Sequence, residues 1–180
     1  MPEIYFDNGA TTRAFPEVRE LMSEVLDIEY GNPSSMHLKG YHAEQYVNRA
    51  KEEIARSLKV EPKEIYFTSG GTEANNLALI GTAMAHKRTG KHIITSCIEH
   101  ASVYNPLGFL EEEGFEVTYL PVDEKGIVSL EALEKALRPD TFLVSIMCVN
   151  NEIGAVEPIE EIGRIVKKYN PEILFHTDCI

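Results

Sequence analysis

The residues with the clearest chemical potential are Ser69-Gly70-Gly71-Thr72, between an apolar run at 65–67 and a helix-like stretch from Glu73. A strand that ends at two glycines and continues as a helix leaves backbone N–H groups free at the helix N-terminus, where the helix dipole favours an anion. Thr72 adds a hydroxyl donor there. The stretch has neither a Gly-Lys-Ser/Thr sequence nor a G-x-G-x-x-G pattern, so a phosphate held here would belong to a compact cofactor rather than to a nucleotide triphosphate. A plain strand-to-helix connection is the alternative.

Polar residues also follow three of the other predicted strands. They are Glu99-His100, Asn150-Asn151 and Asp178. In an open α/β sheet, ligands bind in the crevice beyond the carboxyl ends of the strands. An imidazole, an amide and a carboxylate would therefore face the same crevice as the anion site. Taken singly, His100 could be a surface residue that opens a helix, Asp178 could cap a helix, and Asn150-Asn151 could form a turn.

A metal site is a further alternative for this crevice. Cys97 and His100 have C-x-x-H spacing, and Cys148, His176 and Cys179 lie at later strand ends. A structural zinc site normally has two close ligand pairs, and only one pair here qualifies. We therefore predict no metal site, and we interpret Cys97 and Cys148 as small buried hydrophobic residues.

The elements that would position these residues alternate along the chain. Predicted strands lie at 64–68, 92–96, 116–120, 142–148 and 173–177, and helix-like stretches lie between them at 72–87, 101–113, 129–137 and 158–169. Runs that are apolar on both faces, such as 142–147, are typical of a buried parallel sheet. The pattern predicts an α/β fold with a mainly parallel sheet and flanking helices. Two helices, one opened by Pro16 and one over about 39–58, precede it as an N-terminal helical segment.

Composition limits the classes of partner. The 180 residues carry a formal net charge of −12 with a pI near 4.9, which argues against nucleic acid and anionic membranes as partners. No apolar run approaches the ~18 residues that a membrane span needs. Three scattered cysteines form no disulfide framework, so we expect a cytoplasmic location.

Several motifs together resemble the cysteine desulfurases of the NifS/IscS type, within the class-V aminotransferase family of fold-type-I enzymes that use pyridoxal 5′-phosphate (PLP). The motifs run from end to end of the chain, in the order and at about the spacing of that family. They are Tyr5-Phe6-Asp7-Asn8 with Ala10-Thr11-Thr12, Gly31-Asn32-Pro33-Ser34-Ser35 with His37, Ser69 to Asn76, Glu99-His100, Val149 to Gly154, and His176-Thr177-Asp178.

The resemblance implies a role for each of five residues. Gly71 and Thr72 would bind the cofactor phosphate, and His100 would act as the catalytic residue that stacks on the pyridine ring. Asp178 would pair with the pyridinium nitrogen and keep it protonated, so that the ring can act as an electron sink. Asn151 would hydrogen-bond the phenolic oxygen of the ring or the substrate.

The resemblance also implies an activity and partners. The reaction would remove sulfur from L-cysteine, giving L-alanine and an enzyme persulfide for iron–sulfur cluster assembly. The partners would be an iron–sulfur scaffold or another sulfur-acceptor protein and a second copy of the enzyme in a homodimer. Residues 1–15 would form an N-terminal segment that associates with the small domain, and residues 16–180 would form part of the PLP-binding large domain.

The chain departs from the family at its end. It stops two residues after Asp178, before the family's Ser-x-His-Lys stretch with the Schiff-base lysine, its persulfide cysteine and its small domain. We therefore expect an N-terminal part of the enzyme that is inactive alone, with no neighbouring strand in this chain for 64–68. Cys179-Ile180 replaces the small residues usual after that aspartate. Two alternatives are a non-catalytic binding or assembly protein that has lost the lysine and another class-V enzyme such as a selenocysteine lyase.

Overall fold

A computed structural model describes residues 4–180. The chain divides into two compact units, the first ending at Phe67 and the second running from Thr68 to Ile180. None of the helices among the described residues is long and apolar enough to cross a membrane. The prediction that 1–15 and 16–180 belong to different domains stays a prediction, because it concerns packing against residues outside this chain.

The first unit is helical, as the sequence predicts. It contains α1 (Pro16–Asp27), α2 (Leu38–Leu58) and a single 3-10 turn at Pro62–Glu64. The His37 ring caps α2, because its Nδ1 accepts a hydrogen bond from Gly40 N at 3.2 Å. A Cβ added at Gly40 would lie 2.1 Å from the backbone oxygen of Ser35, so only glycine permits this loop to pack against α2.

The predicted strand at 64–68 is wrong as a strand. Ile65 is extended, but the segment pairs with no strand of the described residues, and Tyr66 and Phe67 are 74% and 54% exposed. Extended backbone without a neighbour forms no ladder of hydrogen bonds. Ile65 has the extended backbone that the apolar run predicts, and the expectation that the segment has no neighbour within this chain agrees with its isolation among the described residues.

The second unit is the predicted α/β sheet. Its elements are α3 (Gly71–His86), β1 (His92–Ser96), α4 (Ala101–Glu112), β2 (Glu116–Leu120), α5 (Leu130–Ala136), β3 (Thr141–Ser145), α6 (Ile159–Tyr169) and β4 (Leu174–His176). All strand pairs are parallel, in the order β2-β1-β3-β4. The prediction of a parallel sheet with flanking helices is therefore confirmed.

Two apolar clusters enclose the sheet, one on each face. On one face Ile93 and Leu143 pack with side chains of α3 and α4, including Leu79 and Leu107. On the other face the next residue of each strand packs with side chains of α5 and α6, in a cluster that contains Ile94, Val144, Leu133, Ile162 and Val166. The alternation of the two clusters along each strand follows from the two-residue period of strand side chains. The sheet is a middle layer between two helical layers.

A buried histidine fixes the amino-terminal edge of the sheet. His92 begins β1 and is 1% exposed. Its Nδ1 lies 2.7 Å from Thr141 Oγ1 of β3, and its Nε2 lies 2.8 Å from Thr118 Oγ1 of β2. Burial lowers the pKa of His92, which favours the neutral ring. One side chain therefore joins three neighbouring strands at the edge opposite the carboxyl ends.

Candidate functional site

The strand order brings the predicted site residues to one edge. β2, the next strand along the chain after β1, pairs with one side of β1, and β3 pairs with the other side. The direction of winding therefore changes between β1 and β3, and ligands in such sheets bind at that point, beyond the carboxyl ends. The segments that follow β1, β3 and β4 carry His100, Asn150-Asn151 and Asp178.

The N-terminus of α3 is built to leave its backbone donors free. Gly70 is the N-cap residue and supplies no side-chain cap, so the first N–H groups of the helix lack a partner within the helix. Glu73 turns back instead, and its Oε2 accepts hydrogen bonds from Ser69 N at 2.7 Å and Ser69 Oγ at 2.6 Å. These bonds lower the pKa of Glu73 and fix the loop that leads to Gly71 and Thr72. The geometry suits an anion at Gly71 and Thr72.

Gly71 is also a point of close approach. A Cβ added there would lie 2.0 Å from Ile180 Cδ1, so the side chain of Ile180 occupies the space that the glycine leaves. The segment after β4 thus reaches the start of α3. Any larger residue at 71 would displace Ile180.

A buried amide joins three of the elements around the crevice. Asn75 of α3 is 5% exposed, and its Nδ2 donates to Asp178 Oδ2 and to Ser102 Oγ, both at 2.9 Å. Ser102 Oγ lies 2.7 Å from His100 Nδ1, which also accepts from Ser102 N at 3.1 Å. We call the four residues Asp178, Asn75, Ser102 and His100 the amide network.

The number of hydrogens on each side chain determines which groups of the amide network donate and which accept. The two N–H hydrogens of Asn75 go to Asp178 and Ser102, so the Ser102 hydroxyl is free to donate to His100 Nδ1. The backbone N–H of Ser102 points at the same nitrogen. His100 Nδ1 is then an acceptor, and in the neutral ring the proton is at Nε2. The network presents an N–H on the exposed side of the imidazole and a carboxylate at its other end.

Thr72 and His100 also line one groove. Its volume is about 440 Å³, and it lies between α3 and α4. The lining side chains are Thr72, Asn76, Ile80, His100, Ala101, Ser102, Asn105, Pro106 and Phe109. His100 and Thr72 are exposed at this surface. The anion donors and the imidazole are therefore open to the same space.

Glu99 ties the end of β1 to the end of β3. Its Oε1 accepts hydrogen bonds from Ser96 Oγ at 2.5 Å and from Met147 N at 3.0 Å. Its Oε2 is buried and has no hydrogen-bond partner among the described residues. Burial raises the pKa of Glu99 to about 7, and the nearby carboxylates of Asp178 and Glu157 act in the same direction. The sequence-based interpretation did not give Glu99 this structural role.

Asn150 and Asn151 have different surroundings. Asn150 is buried, donates to Ile98 O at 2.9 Å, and accepts from Glu152 N and Ile153 N through Oδ1. It therefore closes the turn after β3, as one of the sequence alternatives proposed. Asn151 is exposed, and its amide donates to Glu152 Oε1 at 3.0 Å. It shares no hydrogen bond with the amide network, and its cofactor role stays a prediction.

The structure thus brings Asp178 and His100 into one network and places Thr72 beside His100. Sequence reasoning missed the two residues that connect them, Asn75 and Ser102. A signal for Asn75 exists, because it lies four residues before Leu79 and eight before Ala83, on the buried face of the predicted helix. A polar residue on such a face requires a buried partner.

Cys97 and Cys148 are both less buried than predicted. Cys97 is exposed and Cys148 is half-buried, so the interpretation of both as buried hydrophobic residues is wrong. Cys97 directly follows the last residue of β1. Within residues 4–180, no three His, Cys, Asp or Glu side chains are grouped so as to hold a metal ion.

Comparisons with known proteins agree with this fold. The family model described as aminotransferase class-V matches residues 4–180. The chain is 51% identical over 178 residues to cysteine desulfurase IscS of Dictyoglomus turgidum, with 99% of this chain and 45% of that protein covered. A solved structure of a NifS-like protein has a TM-score of 0.95 at 46% identity, covering 98% of this chain and 49% of that one. The structure of SspA in complex with cysteine has a TM-score of 0.91 at 43% identity, with 97% and 50% covered. The chain spans about half the length of the curated relatives it matches.

The amide network yields a stability prediction. Asn75→Ala leaves the Asp178 carboxylate and the Ser102 hydroxyl without their shared donor, and we expect the free energy of unfolding to fall by about 1–3 kcal/mol. Asn76→Ala on the same helix removes only an exposed bond to Thr72 O and should change it by less than about 0.5 kcal/mol. Urea denaturation of both variants measures the difference. Equal losses of unfolding free energy for the two variants would show that the buried hydrogen bonds of Asn75 stabilise the fold no more than the exposed bond of Asn76.

Glu99 yields a pH prediction. Because its pKa is raised on folding, the folded state holds a proton that the unfolded state has released between about pH 4.5 and 7, so stability falls as pH rises through this range. Glu99→Gln removes this pH-dependent contribution to stability, because glutamine does not titrate. The unfolding free energy of the wild type, relative to Glu99→Gln, should fall by about 2–3 kcal/mol between pH 5 and pH 8 in urea titrations. Parallel pH profiles for the two proteins would refute the assignment.

Proposed function

Because the chain belongs to the class-V aminotransferase family, we propose that its protein is a PLP-dependent cysteine desulfurase of the NifS/IscS type. Members of this family use PLP. The proposed reaction removes sulfur from L-cysteine and gives L-alanine and a protein persulfide, which supplies sulfur for iron–sulfur cluster assembly. The proposal concerns the whole protein, since the chain spans about half the length of the curated relatives it matches. The relation to SspA, whose structure holds cysteine, supports the choice of substrate.

The observation that carries the proposal is the buried carboxylate of Asp178. Asp178 is 8% exposed, and its carboxylate accepts a hydrogen bond from the neutral side-chain amide of Asn75. Glu99 and Glu157 are near enough for their charges to interact, and the ion pairs between described residues include none of these three acids. Buried carboxylates that form no ion pair with a described residue favour a ligand that carries positive charge at this point. The protonated pyridine nitrogen of PLP has that charge.

The other end of the cofactor fits the start of α3. PLP carries a phosphate, and the free N–H groups at Gly71 and Thr72 with the Thr72 hydroxyl form a set of anion donors. The residues present therefore suit both charged ends of the molecule. When bound, PLP supplies an electron sink for the bonds around the α-carbon of the substrate.

Each residue of the site then has a task. Gly71 and Thr72 bind the phosphate, and Asp178 keeps the ring nitrogen protonated. His100, fixed by its bonds with Ser102, stacks on the ring and presents its Nε2 proton to the groove. Asn151, whose amide donates to Glu152 Oε1 in this structure, would bind the phenolic oxygen or the substrate. Asn75 is a positioning residue, because it acts through Asp178 and Ser102.

We propose further that the protein is a cytoplasmic homodimer whose sulfur acceptor is an iron–sulfur scaffold or another acceptor protein. In this proposal, residues 1–15 associate with a small domain and residues 16–180 form part of the PLP-binding large domain. Sedimentation of the whole protein measures its oligomeric state. The family membership supports these assignments.

Product analysis tests the activity. We expect the whole protein, incubated with PLP and L-cysteine, to release L-alanine well above a blank that contains PLP alone, as measured by amino-acid chromatography. L-selenocysteine in a parallel reaction distinguishes a selenocysteine lyase, which would favour that substrate. Alanine at the level of the blank, from protein that binds a scaffold partner and stays colourless with PLP, would favour the non-catalytic alternative.

Replacement of the charged partner tests the site. We expect Asp178→Asn to lower kcat by about two to three orders of magnitude, the size typical for loss of one preorganised electrostatic group. Affinity for PLP should fall much less, because the phosphate donors at Thr72 remain. Asp140→Asn is the matched control, since Asp140 pairs with Arg138 just before β3, at the opposite edge of the sheet. Turnover of Asp178→Asn within a few-fold of the wild type would show that another group interacts with the ring nitrogen.

A further inference from the structure

Two cysteines stand opposite each other where β3 and β4 continue toward the site. The ladder pairs Ser145 with His176, and its hydrogen bonds extend beyond the strands themselves. Ile146 N donates to His176 O at 3.1 Å, and Cys148 N donates to Asp178 O at 2.7 Å. The parallel register is therefore kept for three more residues and sets Cys148 opposite Cys179.

This placement suits a disulfide bond. Neighbouring strands lie about 4.8 Å apart, within the range of about 4.4–6.8 Å that separates the Cα atoms of bonded cysteines. Residues that are opposite in register point to the same face of a sheet. Ser145 Oγ and His176 Nδ1, opposite in the same ladder, are 2.9 Å apart and show that such side chains meet here.

The two thiols also interact. Burial raises the pKa of the Cys148 thiol, and the nearby Cys179 thiol acts in the same direction. Cys179 is exposed, and its Sγ lies 3.8 Å from Thr177 Oγ1. Cys148 is half-buried. A reagent from solution would therefore reach Cys179 first, with Cys148 held beside it.

We propose that Cys148 and Cys179 form a redox-active dithiol that a small-molecule disulfide converts to an intramolecular disulfide. Nothing in the proposed desulfurase reaction uses these two residues. The proposal stands on the register of β3 and β4 and is independent of the proposed function.

The reaction proceeds by two thiol–disulfide exchanges. The Cys179 thiolate attacks one sulfur of the small disulfide, a new S–S bond forms, and the old S–S bond breaks to release one small thiolate. The Cys148 thiolate then attacks Cys179 Sγ and releases the second small thiolate. The two protons lost by the cysteines pass to the released thiolates. The dithiol is thus oxidised by two electrons, and the small disulfide is reduced to two thiols.

The bond would join two segments of the candidate site. Cys148 lies two residues before Asn150, and Cys179 directly follows Asp178. In the reduced chain, the hydrogen bond from Cys148 N to Asp178 O connects these segments. A disulfide would add a covalent link beside that hydrogen bond.

Cys97 is the matched control. It follows β1, and the register of β1 with β3, which pairs Thr95 with Ser145, sets it opposite Met147. Cys97 N donates to Leu120 O on the other side. It is exposed like Cys179 but has no cysteine opposite it.

The test treats the whole protein with oxidised glutathione, blocks remaining thiols with N-ethylmaleimide, and maps the peptides by mass spectrometry. We expect a peptide cross-link between Cys148 and Cys179 in the wild type and in Cys97→Ser, removed by dithiothreitol. In Cys148→Ser, Cys179 should instead retain glutathione. In Cys179→Ser, Cys148 should be recovered mainly as the maleimide adduct.

Three results would overturn the proposal. They are a wild-type protein in which Cys179 keeps glutathione, one in which both thiols stay unmodified, and one in which either cysteine bonds to another partner. Circular dichroism of each variant shows whether its fold is retained. If Cys148→Ser or Cys179→Ser fails to fold, the wild type and Cys97→Ser still show whether the cross-link forms. Because the experiment measures the mass of a cross-linked peptide, failure of this proposal is distinguishable from failure of the proposed function, which is measured by alanine formation.

Discussion

Several polar side chains at the carboxyl edge of the sheet are buried, so each of them must find a hydrogen-bond partner inside the protein. Asn75 meets this requirement for Asp178 and Ser102, and Asn150 meets it for the turn after β3. Glu99 meets it only in part, because one of its oxygens has no partner among the described residues. The same bonds that satisfy these groups also fix their directions. Burial at this edge therefore produces an ordered site.

The candidate site has a region that favours anions and a separate region that favours cations, within a chain of net charge −12. The start of α3 offers N–H donors, whereas burial raises the pKa of Glu99 and the carboxylates of Asp178 and Glu157 near it act in the same direction. Backbone dipoles act mainly within the first turn of a helix, so the local field at Gly71 can attract an anion despite the acidic surface. This separation would orient a molecule with a phosphate at one end and a protonated ring nitrogen at the other.

Much of the fold could be predicted from sequence, because strand-length apolar runs alternate with helical periodicity. The helices from α3 to α6 lie within one or two residues of the predicted stretches. The run at 64–68 could not be assigned correctly by local pattern, since a strand exists only through its neighbour. Asp178, His100 and Thr72 could be proposed from their motifs and from the edge they share. The position of Asn75 on the buried face of its helix indicates a buried partner, but its partners Ser102 and Asp178 could not be identified because they lie 27 and 103 residues away in the chain.

The histidine at the amino edge has an implication for how such chains can vary in length. His92 contacts Thr118 and Thr141 through its two ring nitrogens, so the registers of β2 and β3 against β1 are fixed by the same side chain. An inserted or deleted residue within one of these strands would turn every following side chain of that strand to the opposite helical layer. Evolutionary insertions are therefore restricted to the connections between strands and helices, where they leave both the register and the two cores intact.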